Sequence, residues 1–309
     1  MKFYGQHILT SGQFDKEGLL SLFEEAHAMQ KILEKGKKSS VLDGKVLATL
    51  FFEPSTRTRF SFESAMLRLG GSVISNADMM QTSSLTKMET LYDTGKVVSK
   101  MADVIVARHS TGGAVSEISR GSEVPVINAG DGAFEHPTQG LIDVYTIWKE
   151  KGRLADLTVG LVGDLKFGRV PHSQCKLLKH FKVKFLCVAP KGIELPEEMV
   201  LELKDSGCEV EFAENLEQAI SEMDVIGMTR VQKERFSGES EYKKYAGSYV
   251  LDGEVLKKAK KDAVIIHPLP RVNEISVEVD SDPRAKYFGQ VRNGVALRMA
   301  LLKKVLVEE

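Results

Sequence analysis

The chain has 309 residues, with 42 basic and 43 acidic side chains and a formal net charge of −1. That length allows two domains, each with its own core, and charges this evenly spread give no electrostatic reason to expect nucleic-acid or membrane binding. No apolar run approaches the roughly 20 residues that cross a bilayer, residues 1–15 lack a signal-peptide core, and Cys175, Cys187 and Cys208 suit neither a disulfide framework nor a zinc site, so a cytoplasmic chain with packed, reduced cysteines is expected.

Residues 14–35 predict a helix, because Leu19, Phe23, Ala26 and Met29 keep helical spacing and Gly36 closes it. Residues 46–52 are almost wholly apolar, the pattern of a parallel strand covered on both faces, and Glu53-Pro54 ends it. The period then changes. Phe62, Ala65, Met66 and Leu69 fall on one helical face, stopped by Gly70-Gly71, which puts Ser55, Thr56, Arg57 and Thr58 at a helix N-terminus. Unpaired N–H groups and the positive end of the helix dipole attract anions there, and Arg57 can grip two phosphate oxygens in a fixed fork. For Ser55 alone, helix capping is the simpler reading. Four consecutive donor-bearing residues after a buried strand favour a ligand site.

The run Phe52-Glu53-Pro54-Ser55-Thr56-Arg57-Thr58-Arg59 resembles the carbamoyl-phosphate motif of the transcarbamoylase family. The remaining elements can be read both for themselves and for that resemblance. Residues 73–74 suggest a short strand leading into a polar, mobile loop at 76–87, whose Ser83 and Lys87 resemble the pair that reaches a neighbouring subunit's site in the family; Ser84 is the alternative to Ser83. The resemblance therefore implies a homotrimer with shared active sites. Residues 88–101 predict a helix and 104–107 a buried strand ending in Arg108-His109; Arg108 matches the family's phosphate and carbamoyl contact, and His109 has no assigned role. After a strand at 124–129, Glu135-His136-Pro137-Thr138-Gln139 opens a helix with Leu141, Val144, Tyr145 and Trp148 facing inward. At this second helix start the dipole disfavours an imidazolium, and the resemblance has His136 polarise the carbamoyl oxygen while Gln139 reaches the carbamoyl nitrogen.

A polar break at 150–156 sets the expected division: residues 1–150 with a C-terminal helix at 292–309 as the carbamoyl-phosphate domain, and 151–291 as the aspartate domain. The glycines at 160, 163 and 168 do not give a dinucleotide fingerprint, and Arg169-Val170 stands where a P-loop needs Lys and Ser or Thr. Arg169 resembles the family's grip on the aspartate α-carboxylate. Strands at 183–189, 209–212 and 225–228 alternate with helices at 197–204 and 216–223, so the fold class is α/β, two domains each with a mainly parallel sheet and helices on both faces. Arg230 and Gln232 resemble the pocket for aspartate's side-chain carboxylate; an ornithine site should not place a guanidinium against an ammonium. A second mobile loop is expected at 236–248, and Arg169 and Arg235 are expected to pair with Glu53 on domain closure. The last strand, 263–266, ends in His267-Pro268-Leu269-Pro270-Arg271, where ornithine enzymes carry cysteine at the position of Leu269. By resemblance the carbonyls of Pro268 and Leu269 hold the substrate, a cis peptide precedes Pro270, and a helix at 294–307 brings Arg298 near the phosphate.

The reaction so implied joins carbamoyl phosphate and L-aspartate into N-carbamoyl-L-aspartate and phosphate, an early step of pyrimidine biosynthesis, with Arg57, Thr58, Arg108 and His136 catalytic and no cofactor or metal. An ornithine acceptor and a catalytically silent relative are the rival readings. Three segments, at 162–169, 230–235 and 267–272, look like those of catalytic chains that assemble with zinc-containing regulatory partners.

Overall fold

A computed structural model of the chain describes residues 1–308 apart from 83–87, 133–134, 233–235, 237 and 246. The chain forms two compact units, Met1–Ile142 with Val291–Glu309, and Asp143–Gln290.

The first unit carries a four-stranded parallel sheet of β1 (Val46–Phe51), β2 (Ser72–Asn76), β3 (Val104–His109) and β4 (Val126–Asp131), in the order β2-β1-β3-β4. Its helices are α1 (Lys16–Glu34), α2 (Thr56–Arg68), α3 (Met79–Thr82), α4 (Leu91–Val98) and α5 (Ala114–Gly121). The central strands β1 and β3 are mostly buried, and apolar except at Thr49, Arg108 and His109. β2, at one edge of the sheet, is largely open to solvent, with Ser72, Ile74 and Ser75 exposed. Ala48, Leu50 and Phe52 pack with Ile105, Ala107, Val115 and Ile118 in the core on one face of the sheet.

α6 (Pro137–Lys151) and α12 (Gly289–Leu306) are the two helices within which the chain passes from one unit to the other. The second unit has a five-stranded parallel sheet of β5 (Thr158–Val162), β6 (Lys184–Val188), β7 (Glu209–Ala213), β8 (Val225–Met228) and β9 (Val264–Ile266), in the order β7-β6-β5-β8-β9. With it go α7 (Arg169–Leu178), α8 (Glu197–Asp205), α9 (Leu216–Ala219), α10 (Glu239–Tyr242) and α11 (Gly253–Leu256). The edge strand β7 is likewise largely exposed, at Glu209, Glu211 and Phe212, while Val162, Val188, Ile226, Met228 and Ile265 fill the core. All three cysteines are free and buried. Among the described residues no helix is long and apolar enough to cross a membrane.

The fold revises some expected elements. The predicted helix at 88–101 is shorter, because Met88 has a left-handed φ of 70° and Thr90 caps the start of α4 through the N–H of Asp93. The predicted loop at 76–87 includes the short helix α3 with Met79 buried at its start, and in the second predicted loop Phe236 packs its ring 5.5 Å from those of Phe167 and Tyr245.

Candidate active site

In the first sheet the chain leaves β1 toward β2 on one side and β3 toward β4 on the other. The loops after β1 and β3 diverge, which opens a crevice at the carboxyl ends of these two strands. Phe51 pairs with Arg108 in register, and the N–H of Phe52 donates to the Arg108 carbonyl at 2.8 Å. Strand pairing thus brings Glu53, two residues ahead of the α2 N-cap Ser55, to Arg108.

Ser55 is the N-cap residue of α2, yet its hydroxyl makes no capping bond. Asp15, Thr90, Asn215 and Asp252 do cap their helices, so the simple capping reading of Ser55 is corrected. The first intrahelical bond runs from the Arg59 N–H to the Ser55 carbonyl at 3.2 Å, and groups ahead of it have no acceptor inside the helix. Ser55 is half-buried, Thr56 and Arg57 are exposed, and Thr58 is buried. α2 is held to the sheet by polar contacts: Thr49 Oγ1 bonds Glu63 at 3.1 Å and Ser75 at 2.9 Å, and Arg59 donates to Ser75 at 3.2 Å.

Arg108 is buried, with Nη2 3.1 Å from the Glu53 carboxylate and Nη1 donating to the Ala129 carbonyl on β4 at 3.2 Å. One guanidinium therefore links three strand ends. His136 and Thr138 are buried at the start of α6, and the His136 carbonyl accepts from the N–H groups of Gln139 and Gly140. Glu135 fixes this approach by accepting the Ser11 N–H at 2.6 Å. From α12, Arg298 donates to the Ser61 hydroxyl on α2 and lies 4.7 Å over the Phe62 ring. Burial pushes its guanidinium down to about 9. Among the described residues no carboxylate forms an ion pair with it.

His109 lies 4.9 Å from the Phe52 ring and accepts the Thr111 N–H at Nδ1. Burial lowers its pKa despite the nearby Asp131. Asp131 in turn accepts the Gly113 N–H at 3.0 Å and so caps α5 from the neighbouring strand; burial raises its carboxyl. These two residues build the rim of the crevice.

The second unit repeats the geometry. Its order reverses between β5 and β8, so the loops after those strands diverge. α7 starts at the buried Arg169, behind an N-cap glycine that offers no side chain, and Arg230 follows two residues after β8. The strands approach closely here: Gly163 has φ of 121°, and a Cβ on it would meet the Thr229 carbonyl at 2.1 Å. A cleft is lined by Gly163, Thr229, Arg230, Tyr249, Asn273 and Glu274.

After β9, Leu269 has a left-handed φ of 54° and a cis bond to Pro270. His267 and Glu274 frame this turn. The Leu269 N–H donates to His267 Nδ1 at 2.8 Å, which places the imidazole proton on Nε2, donating to Glu274 at 2.7 Å. Glu274 also accepts the N–H groups of Val272 and Asn273 at 3.1 Å. Burial raises the Glu274 carboxyl, but the bonds from His267 and the backbone outweigh it and hold the group below its ordinary value of 4.5.

The structure thus gathers Glu53, Ser55, Thr56, Arg57, Thr58 and Arg108 at one strand-end crevice, with His136 and Gln139 following the next strand of the same sheet. It sets Arg169 at the start of α7 after β5, and Arg230, Gln232, Pro268 and Leu269 on loops beyond β8 and β9 of the second sheet. Ser83, Lys87 and Arg235 lie outside the described residues. The sequence reading missed His267 and Glu274 as framing residues; a histidine two positions before a turn amide was the available signal.

Residues 6–149 match the aspartate/ornithine carbamoyltransferase carbamoyl-P binding domain, and 155–305 the Asp/Orn binding domain. The chain is 49% identical to an aspartate carbamoyltransferase catalytic subunit from Clostridium novyi, covering 98% of each chain. It is 47% identical, over 98% of its length, to the multifunctional protein CAD of Squalus acanthias, of which it spans 14%. A crystal structure of aspartate transcarbamoylase from Trypanosoma cruzi, in complex with carbamoyl phosphate and aspartate, superposes with a TM-score of 0.94 at 38% identity, covering 99% of this chain and 98% of that one. With both of its sheets built around such crevices and both halves matched, the chain belongs to the aspartate/ornithine carbamoyltransferase family.

Proposed function

We propose that the chain transfers the carbamoyl group of carbamoyl phosphate to the amino group of L-aspartate, giving N-carbamoyl-L-aspartate and phosphate. The observation that carries this reading is the pair of uncapped helix starts, at Ser55 and Gly168, each at the reversal point of a parallel sheet and each followed by an arginine. Ser55, Thr56, Arg57, Thr58 and Arg108 suit a phosphoryl group. Arg169, Arg230 and Gln232 suit the two carboxylates of aspartate.

In the reaction the uncharged amine attacks the carbonyl carbon, a tetrahedral intermediate forms, and phosphate departs with the C–O bond pair. Arg57, Thr58, Arg108 and His136 stabilise the developing oxyanion, each such donor contributing about 2.7–4 kcal/mol. Gln139 and the carbonyls of Pro268 and Leu269 hold the carbamoyl amide. The departing phosphate is basic enough to take the amine's proton. Holding the substrates in register supplies much of the remaining acceleration.

The same reading makes the working form a cytoplasmic homotrimer, with Ser83 and Lys87 of one subunit completing the site of the next, and with Glu53 and Arg235 tied on closure. It serves pyrimidine biosynthesis. Zinc-containing regulatory chains are the partners to seek by sizing the protein alone and in lysate.

An assay with carbamoyl phosphate and either aspartate or ornithine tests the proposal. Carbamoyl aspartate should form, citrulline should not, and Arg57→Ala should reduce kcat by roughly 10²–10³. Turnover of ornithine alone, or of neither acceptor, rejects it.

A further inference from the structure

His267 is a buried histidine to which the reaction gives no part, and its hydrogen bonds are all used in shaping one turn. Nδ1 accepts the Leu269 N–H at 2.8 Å, and Nε2 donates to Glu274 Oε1 at 2.7 Å. Its own N–H donates to Gln290 Oε1 at 3.0 Å, while Gln290 Nε2 donates to Asp143 Oδ1 at 2.7 Å. Asp143 accepts a further bond from Gln174 on α7 at 2.6 Å. His267, Glu274, Gln290, Asp143 and Gln174 are all buried. A polar chain therefore runs from α6 to the residue before Pro268, and each of these bonds has a donor matched to an acceptor.

This chain ends on a strained residue. Leu269 adopts the left-handed conformation, which is unfavourable for a residue with a side chain and persists only where the surroundings impose it. The imidazole fixes the peptide that leads into it, between Pro268 and Leu269, by accepting the amide two residues on, the geometry that asparagine makes in an Asx turn. Glu274 serves twice, fixing the imidazole's tautomer through one oxygen and tying the returning chain at Val272 and Asn273 through the other.

We propose that His267 is a positioning residue: locked by Glu274 as the Nε2–H tautomer and buttressed by Gln290 and Asp143, it sets the backbone of Leu269 so that the turn's carbonyls face the carbamoyl amide. The inference rests on the carbamoyl-transfer reading above. It differs from a packing role because it depends on a single acceptor atom at the Nδ1 position.

Two substitutions separate the roles. His267→Asn keeps an acceptor within reach of the Leu269 N–H and gives up the bond to Glu274. His267→Gln can reach Glu274 and gives up the Leu269 bond. Both remove the ring, and Asn, a methylene smaller and out of reach of Glu274, is expected to lower Tm at least as much as Gln, so a greater activity loss in His267→Gln cannot be put down to destabilisation. Steady-state assays should show His267→Gln losing about 10²-fold in kcat/KM, the scale of a misplaced reacting group, with His267→Asn within about tenfold of the parent. Equal losses in the two variants, or none in either, overturn the proposal. ¹⁵N NMR of the histidine-labelled parent supplies a readout independent of folding in the variants. A resonance pair lost in both variants should show a protonated Nε2 and an unprotonated Nδ1, and the opposite tautomer overturns the proposal too. Absence of carbamoyl aspartate formation by the parent itself overturns the functional reading; parent turnover with an unaffected His267→Gln overturns this inference alone.

Discussion

The Glu53 carboxylate stands 3.1 Å from Nη2 of Arg108, so the guanidinium proposed to meet the phosphate already carries a carboxylate. A phosphoryl group approaching Arg108 competes with Glu53 for it. Substituting Glu53→Gln keeps the shape and removes the charge. The contact is partly exposed, 30% on the Glu53 side, so its full charge-assisted worth must be discounted to about 1.4 kcal/mol. Inorganic phosphate should then bind about tenfold more tightly, measured by calorimetry. Unchanged or weaker binding contradicts the competition.

Arg298 combines complete burial with a hydroxyl and an aromatic face as its contacts. Even pushed down to about 9, its guanidinium stays charged at neutral pH, and an uncompensated buried charge costs stability. Arg298→Met should leave Tm unchanged or raise it by a few degrees while weakening phosphate binding. A large fall in Tm with unaltered phosphate affinity would show that the charge serves the fold alone.

Arg230 lies in a cleft with Gly163 and Thr229 and is proposed to meet aspartate's side-chain carboxylate. Bonds to charged groups contribute about 1.5–3 kcal/mol, so Arg230→Ala should raise the KM for aspartate by roughly 10–10² while leaving carbamoyl-phosphate binding nearly intact. Initial-rate measurements with each substrate varied make the test. A KM effect confined to carbamoyl phosphate runs against the assignment.

Glu274 carries a lowered pKa, so its folded form binds a proton less readily than its unfolded form. The stability it contributes is present above its unfolded value of 4.5 and is lost as pH falls through the lower folded value. Melting curves between neutral pH and pH about 3 should show a steeper acid-side fall for the parent than for Glu274→Gln, which cannot titrate there. Parallel curves would exclude Glu274 as a source of acid sensitivity.

Much of this was legible in the sequence because it is written in local patterns. The buried run before Glu53, the change of period after Ser55, and the alternation of strands and helices are properties of adjacent residues, and the sheets follow from them. The capping reading of Ser55 failed for a reason that spacing cannot reveal: its residue type suits both a cap and a ligand, and only the hydroxyl's direction separates them. The Glu53 to Arg108 pair depends on two strands meeting in register, across 55 residues of chain. His267 and Glu274 were harder to find because they meet only where the turn folds back and because their other partners are backbone amides, so spacing gives little beyond the histidine's place two residues before a turn amide.

Gly163 brings the ends of β5 and β8 together at a distance that any side chain would forbid, since a Cβ there meets the Thr229 carbonyl at 2.1 Å. Arg230 follows two residues after β8, and Arg169 starts α7 six residues beyond Gly163. The gauge between the two cationic arms is therefore cut by backbone against backbone, and alanine at 163 would widen it by prying the strands rather than by altering either arginine.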